Sequence, residues 1–416
     1  MNGQVDPRRL RASLLVVALV ILACGCSASS SATPTADHHG TTTTGAPRTT
    51  TTTSAPSATP TTTPAAVPQA PGWSLALTTL PPGGGFTSLS CISDTFCVAA
   101  GGGTTGDGAA LVSGAGVTLS WDGAAWSSPS VYYPAPAAGP VAAPVLPTIT
   151  CTSGPLCVIV DGSDHVSTGD GTDWSNPAPI AAPPPLPANP ADPGVGHPGS
   201  RTSAVSCPTP GLCAVVDNTG RAFTLRDNSW LAPQSFGTAQ GFGTSAPKTA
   251  LYQSGRVGVS CPTPTSCTAV VGSSVLRWDG ATWSAEATPW TTSLAPGAVS
   301  IACPTLDLCA VVNGDDIVVR NGDGAWTPRQ VLDPGRQLDA ISCPTRSFCI
   351  AADDTGSVML WNGTTWTGPQ PVIPAATQYP DIGVSVSCPD DRFCMIMDAD
   401  GDYATYSGPG TDPAGP

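Results

Sequence analysis

The cysteines constrain this chain more than any other feature. Fourteen of the sixteen fall into seven C-x5-C pairs: Cys91/Cys97, Cys151/Cys157, Cys207/Cys213, Cys261/Cys267, Cys303/Cys309, Cys343/Cys349 and Cys388/Cys394. Each pair follows a short alternating segment such as "TSLSC", "TSAVSC" or "DAISC" and precedes a small apolar one such as "CAVV" or "CIAA", both of strand character. Between the two cysteines lie "PTRSF", "PTPTS" or "PDDRF", which is turn chemistry. Strands joined by so tight a turn set their flanking residues opposite one another, at Cα separations of about 4.5–5.5 Å, which is also the reach of a relaxed disulfide. The spacing predicts a staple across each hairpin, each small ring worth about 2 kcal/mol by loop entropy. Zinc and thioredoxin-like centres favour C-x2-C, and metal sites would draw on histidine. The four histidines are His38, His39, His165 and His197, so neither a metal nor a redox centre is expected.

A second motif follows each pair. "SWDGAAW" ends at Trp126, "RWDGATW" at Trp283 and "LWNGTTW" at Trp366, with looser versions ending at Trp174, Trp230 and Trp326. Asp-Gly and Asn-Gly signal tight hairpins whose central residues both tolerate positive φ. Each repeat therefore holds two strands around the disulfide and two around the Asp-Gly turn. Four strands in a repeat of about 40–45 residues make a propeller blade. The seventh repeat reaches Tyr406-Ser407-Gly408 with no final tryptophan, while "PGWSLALTTL" upstream supplies Trp73. The reading is an all-β, seven-bladed β-propeller over residues 72–416, with one disulfide inside each blade, closed by the N-terminal strand, which removes an open sheet edge. The tryptophans are expected to pack between blades.

The repeat SCPxxxxC…WNGxxW resembles that of exported β-propeller proteins of actinobacteria, over residues 72–416. The DGxxW turns are also similar to the Asp-box turns of sialidase-like propellers, which carry one more residue between Asp and Gly. The resemblance implies a fold and an extracytoplasmic address, and no activity by itself.

The N-terminal segment agrees with that address. Arg8, Arg9 and Arg11 precede an apolar run from Leu14 to Ala23, too short to span a bilayer and laid out as an export signal. "VILACGCS" resembles a bacterial lipobox, which implies a lipoprotein signal over 1–23 and lipid on Cys24, with Cys26 as the alternative. The expected address is the outer face of the cell membrane, held by the lipid anchor alone. Residues 24–71 are almost all Thr, Ser, Ala, Pro and Gly, which builds a solvated tether and no core. Loss of the leader removes three arginines and Asp6 and takes the net charge from −14 to −16. So acidic a body disfavours nucleic acid and anionic membrane as partners.

Loop lengths carry the functional reading. Between the outer tryptophan and the next cysteine, four connections have 16 to 21 residues, but those after Trp126, Trp174 and Trp230 have 24, 32 and 30. Blade one also has 23 residues between Cys97 and Trp121, against 10 between Cys267 and Trp278. In a four-stranded blade all four enlargements fall on one face, around blades one to four. Tyr132, Tyr133, Phe236, Phe242 and Tyr252 are the aromatics there best able to anchor a partner.

Catalytic sets are sparse. The domain has one glutamate (Glu286), one lysine (Lys248) and two histidines, with no Ser-centred elbow, HExxH or phosphate loop. "DADGD", Asp398 to Asp402, misplaces the glycine for a calcium loop and is read as a hairpin turn. The expected function is a monomeric, non-enzymatic module, without cofactor, that binds an envelope protein or glycan. The alternative is a carbohydrate-active enzyme of sialidase-like or lyase type.

Overall fold

The computed structural model describes residues 71–76, 84–103, 115–134, 147–154, 156–161, 164–180, 203–218, 220–227, 229–236, 257–271, 274–286, 299–322, 325–376 and 383–408. The leader and nearly all of the tether, with Cys24 and Cys26, lie outside these residues, as do Phe242 and Tyr252. Every regular element described is a strand, and the strands form seven antiparallel sheets. Blade one is Gly84–Ser93, Phe96–Gly103, Gly116–Trp121 and Ser130–Tyr133, from inner to outer strand. Blades two to six repeat this order, beginning at Thr148–Cys151, Ser203–Thr209, Val257–Thr263, Val299–Thr305 and Leu338–Thr345. Blade seven takes its inner three strands from Val384–Ser387, Phe393–Asp398 and Tyr403–Ser407 and its outer strand from Trp73–Ala76. The closure is in register, Trp73 facing Tyr406 and Ala76 facing Tyr403.

The core lies between blades. Seven apolar clusters each join two neighbours, as where Met395 and Met397 of blade seven pack with Leu89 and Leu119 of blade one. A blade is thus covered on both sides, which is why the second strands are apolar at successive positions. Cys157–Val160 and Ser266–Val271 are buried at every residue. The outer tryptophans fill these seams: Trp174 Nε1 donates to Thr118 Oγ1 of blade one at 3.0 Å, and Trp283 Nε1 to Thr224 Oγ1 of blade three at 3.1 Å.

All seven predicted disulfides are formed: Cys91–Cys97, Cys151–Cys157, Cys207–Cys213, Cys261–Cys267, Cys303–Cys309, Cys343–Cys349 and Cys388–Cys394. They differ from the expected staple in span. Their Cα atoms are 4.0–4.1 Å apart, closer than the expected span, with Cys91 facing Cys97 and Cys151 facing Cys157 in register. They are also core groups. The second cysteine of each pair stands on the doubly covered second strand, so Cys97, Cys157, Cys213, Cys267, Cys309 and Cys394 are 0% exposed and Cys349 is 4% exposed. Their first partners, on the inner strands, are buried as well. Sulfurs sealed in this way are structural and inert, with no part in a site.

At a narrow pair the N–H of the first cysteine points away from its own sheet. In five blades it donates instead to the serine that precedes the first cysteine of the neighbouring blade. Cys91 N reaches Ser387 Oγ at 2.9 Å, Cys151 N reaches Ser90 at 2.9 Å, Cys261 N reaches Ser206 at 3.0 Å, Cys303 N reaches Ser260 at 2.9 Å and Cys388 N reaches Ser342 at 3.0 Å. Blade five has Ala302 at this place, and there Ser300 Oγ accepts from Ile341 N at 3.1 Å.

The Asp-Gly turns differ from the two-residue hairpin expected of them. Trp121 pairs with Trp126 and Trp361 with Trp366 across four-residue loops, and only the glycine is left-handed, at φ +96° for Gly123 and +92° for Gly363. The preceding carboxylate or amide does the rest. Asp122 Oδ1 accepts from Ala124 N and Ala125 N at 2.9 and 2.8 Å, and Asn362 Oδ1 accepts from Thr364 N and Thr365 N at 3.0 and 2.9 Å. The turn is held by an Asx side chain.

The inner tryptophan of each motif ties this turn to the disulfide turn beside it. Trp121, Trp278 and Trp361 donate Nε1 to the carbonyls of Asp94, Pro264 and Arg346 at 3.0, 3.4 and 3.2 Å. Blade five has Arg320 in this slot, only 1% exposed, and its Nη2 donates to Leu306 O at 3.2 Å.

Candidate functional site

Strand direction sorts the connections onto two faces. Disulfide turns and Asp-Gly turns share one, the turn face. Connections between second and third strands, and the exits from outer strands, share the other, the loop face. The described ends of the three long exits lie on the loop face. Tyr133 pairs with Gly116 at the start of the third strand, Ile180 N donates to Asp164 O at 2.9 Å, and Phe236 N donates to Gly220 O at 2.9 Å. Tyr132, Tyr133 and Phe236 therefore sit on this face. They are not equivalent: Tyr132 is buried against Trp174, ring centroids 6.2 Å apart, whereas Tyr133 and Phe236 are half-buried.

An aspartate closes the second strand in four blades and caps the loop that follows. Its Oδ1 accepts the N–H four residues on: Asp161 from His165 at 2.9 Å, Asp217 from Arg221 at 3.0 Å, Asp353 from Ser357 at 2.8 Å and Asp398 from Asp402 at 2.9 Å. The turn expected over Asp398 to Asp402 is this cap. Among the described residues no three His, Cys, Asp or Glu side chains are grouped to hold a metal ion.

Two polar sectors stand out on the face. The first joins blades one to three, beside the long exits. Asp164, in the left-handed region at φ +59°, and Asp217 both pair with the buried Arg221 across the second and third blades. Next to them His165 Nδ1 lies 3.5 Å from Asp161 Oδ2, within ion-pair range but not aligned for a hydrogen bond, and its ring is 6.3 Å from that of Tyr133. Burial, and then the charge of Asp161, hold the Tyr132 hydroxyl well above its ordinary pKa. Tyr132 Oη and Ser167 Oγ are buried with no hydrogen-bond partner among the described residues.

The second sector is carboxylic and spans blades five to seven. Burial pushes Asp333 up to about 6, helped by its hydrogen bond to Asp353. Burial likewise pushes Asp339 and Asp398 up to about 7 and raises Asp354. Asp339 binds across the seam to blade seven, accepting from Gln337 Nε2 at 2.8 Å and from Val384 N at 3.2 Å. These carboxyls are in contact with one another or with backbone. Paired glycosidase carboxylates stand about 5 Å or more apart with substrate between them. Glu286 is engaged too, 3.4 Å from Arg320 and 3.8 Å from Arg277.

Sequence reasoning named the tyrosines but not Ser167, and gave the serines before the cysteines no role. The recurrence of Ser-Cys in "LSC", "VSC" and "ISC" was the signal available for the latter.

No protein-family model matches the chain, and no curated protein sequence matches it. Solved structures do. YCF48 bound to D1 peptide is 14% identical with a TM-score of 0.52, over 83% of this chain and 99% of that one. A catalytically inactive virginiamycin B lyase from Staphylococcus aureus with quinupristin is 10% identical with a TM-score of 0.54, over 80% and 98%. The WD40 β-propeller domain of Doa1 is 11% identical with a TM-score of 0.52, over 81% and 97%. At such identities the likeness speaks for fold alone, and the fold it speaks for is the β-propeller that the seven sheets form.

Proposed function

We propose that the chain is an exported, non-enzymatic β-propeller, lipid-anchored through Cys24, that presents its loop face to an envelope protein or glycan. One observation carries the reading. Both ends of the propeller leave from the turn face of blade seven, where Ser407 N donates to Gly72 O at 2.8 Å. A tether reaching Gly72 therefore attaches on the side opposite the long exits. The loop face is therefore the side away from the point where the chain enters its first described strand.

The His165–Asp161 pair has the look of an acid–base dyad, which would favour an enzyme. Asp161 Oδ1, however, caps its loop as Asp217, Asp353 and Asp398 cap theirs. The pairing follows from loop construction, and the binding reading is preferred.

The test is affinity capture from envelope extract with the chain as it stands, and with the connectors 135–146, 181–202 and 237–256 replaced by short linkers. Capture is expected to be lost with the linkers and kept in Arg346→Ala, which alters the turn face. Capture indifferent to the linkers, or turnover of a bound glycan, would sink the reading.

A further inference from the structure

We propose that Asn362, in the Asn-Gly turn of blade six, is a self-modification site: the turn drives the loss of its side-chain nitrogen as ammonia and converts it to aspartate in the folded protein. The site lies on the turn face and is independent of the binding reading above.

Asn362 and the three residues after it are exposed, so water reaches the turn freely. Asn362 Oδ1 accepts three hydrogen bonds, from Thr364 N at 3.0 Å, Thr365 N at 2.9 Å and Thr364 Oγ1 at 2.7 Å. Its Nδ2 donates to Thr365 Oγ1 at 3.3 Å. The residue that follows is Gly363, left-handed at φ +92°, where a Cβ would stand 3.2 Å from Ser347 Cβ. The turn thus demands glycine at 363. Glycine in turn leaves its backbone nitrogen sterically open to reach Asn362 Cγ.

Deamidation needs only that nitrogen and water. Gly363 N gives up its proton and bonds to Asn362 Cγ, and Oδ1 carries the negative charge of the tetrahedral intermediate. The Cγ–Nδ2 bond then breaks, Nδ2 takes up the proton and leaves as ammonia, and a succinimide remains. Water adds to Cγ, the bond from Cγ to Gly363 N opens, and the side chain is left as a carboxylate. Three donors on the oxygen that becomes charged form an oxyanion hole, which binds the intermediate more tightly than the neutral amide. Blades one and four show that this turn favours negative charge at the same atom. Backbone N–H groups of Ala125 and then Ala124 hold the Asp122 carboxyl below its ordinary pKa, and those of Thr282 and then Ala281 do so for Asp279. These blades also show that the product fits: Asp279 Oδ1 accepts from Ala281 N and Thr282 N at 2.8 Å each, as Asn362 Oδ1 accepts from Thr364 N and Thr365 N. The same hole directs water to Cγ rather than to the backbone carbonyl of the succinimide. The product is therefore aspartate, whereas an unstructured chain yields mainly isoaspartate.

The experiment is peptide mapping by mass spectrometry of the full chain aged at neutral pH in heavy-oxygen water, with electron-transfer fragmentation to separate aspartate from isoaspartate. Label at residue 362 is expected to accumulate about tenfold faster in the folded chain than in the same chain reduced and unfolded in guanidinium, and to do so as aspartate. Thr364→Val removes one donor while keeping the branched shape, and is expected to slow the folded chain about threefold. Asn362→Asp, which is the product made in advance, is expected to melt no lower than the parent. An unfolded chain that deamidates as fast as the folded one, isoaspartate as the main product, an unchanged rate in folded Thr364→Val, or a lowered melting temperature for Asn362→Asp would each overturn the inference. The comparison of folded with unfolded chain uses the parent alone and decides the matter should Thr364→Val not fold.

Discussion

At the scale of single residues, the seams are stitched by hydroxyls. A serine oxygen that accepts an N–H left over at a narrow pair satisfies a donor that its own sheet cannot reach. Ser90→Ala leaves Cys151 N unbonded and is expected to cost about 1–3 kcal/mol in urea unfolding. Ala302→Ser should do the reverse, supplying the stitch missing between blades five and six and adding about 1 kcal/mol. A fall in stability for Ala302→Ser would count against the assignment of these serines. Arg320 makes the same point with a different group. Its guanidinium fills a tryptophan's slot and keeps the bond to the neighbouring turn, so Arg320→Trp should fold and melt near the parent, while Arg320→Ala should lose about 3 kcal/mol through the cavity and lost packing. Neither feature was legible in advance. A serine in an alternating strand carries no mark of what its oxygen faces, and the arginine in "RNGDGAW" stands beside the turn with nothing local to show that it is buried.

At the scale of elements, the hairpins were legible and their turn chemistry only partly so. Cysteine spacing and the tryptophan motif placed every staple, and Trp73 found its blade. The depth of the staples was not legible, because C-x5-C spacing fixes which strands are joined and says nothing of what covers them. Asp-Gly was assigned to a two-residue turn because that dipeptide also serves loops in which the carboxylate, rather than a second left-handed residue, sets the geometry. The distinction has a test. Asp122→Asn should leave the melting temperature unchanged, because Asn362 does the same work in blade six. Asp122→Ala should lower it. Backbone N–H groups of Asp173 and then Thr172 hold the Asp170 carboxyl down to about 2. A depressed folded-state pKa gives stability that is present above about pH 4 and is lost as pH falls through about 2. Carboxyl titration followed by NMR should find Asp170 still ionised at pH 3.

At the scale of the whole molecule, the raised carboxyls of blades five to seven act in the opposite sense. Groups with folded pKa values of about 6 for Asp333 and about 7 for Asp339 and Asp398 stabilise the protonated fold. That contribution is complete below about pH 4 and is lost as pH rises through 6 to 7. The melting temperature should therefore fall between pH 5 and pH 8, and Asp339→Asn with Asp398→Asn should flatten the profile. A melting temperature that rises over this interval would refute the assignment. Anchoring is tested separately: Cys24→Ser should move the protein from the membrane fraction to the medium and abolish lipid labelling. The lopsided face was legible as a count of residues between motifs. The seam beneath it was not, because Tyr132 and Trp174 come from different blades and meet only when the ring is assembled.

The pairing of Trp73–Ala76 with Tyr403–Ser407 also imposes an order on assembly. A ribosome delivers the first of these segments with blades one to six still to come, and the second only after them. Throughout that interval the early segment has no mate, and each finished wedge beside the gap has a naked flank. Whatever the chain meets in that interval must tolerate an open horseshoe, and Tyr403–Ser407 is the strand whose arrival lets the ring lock.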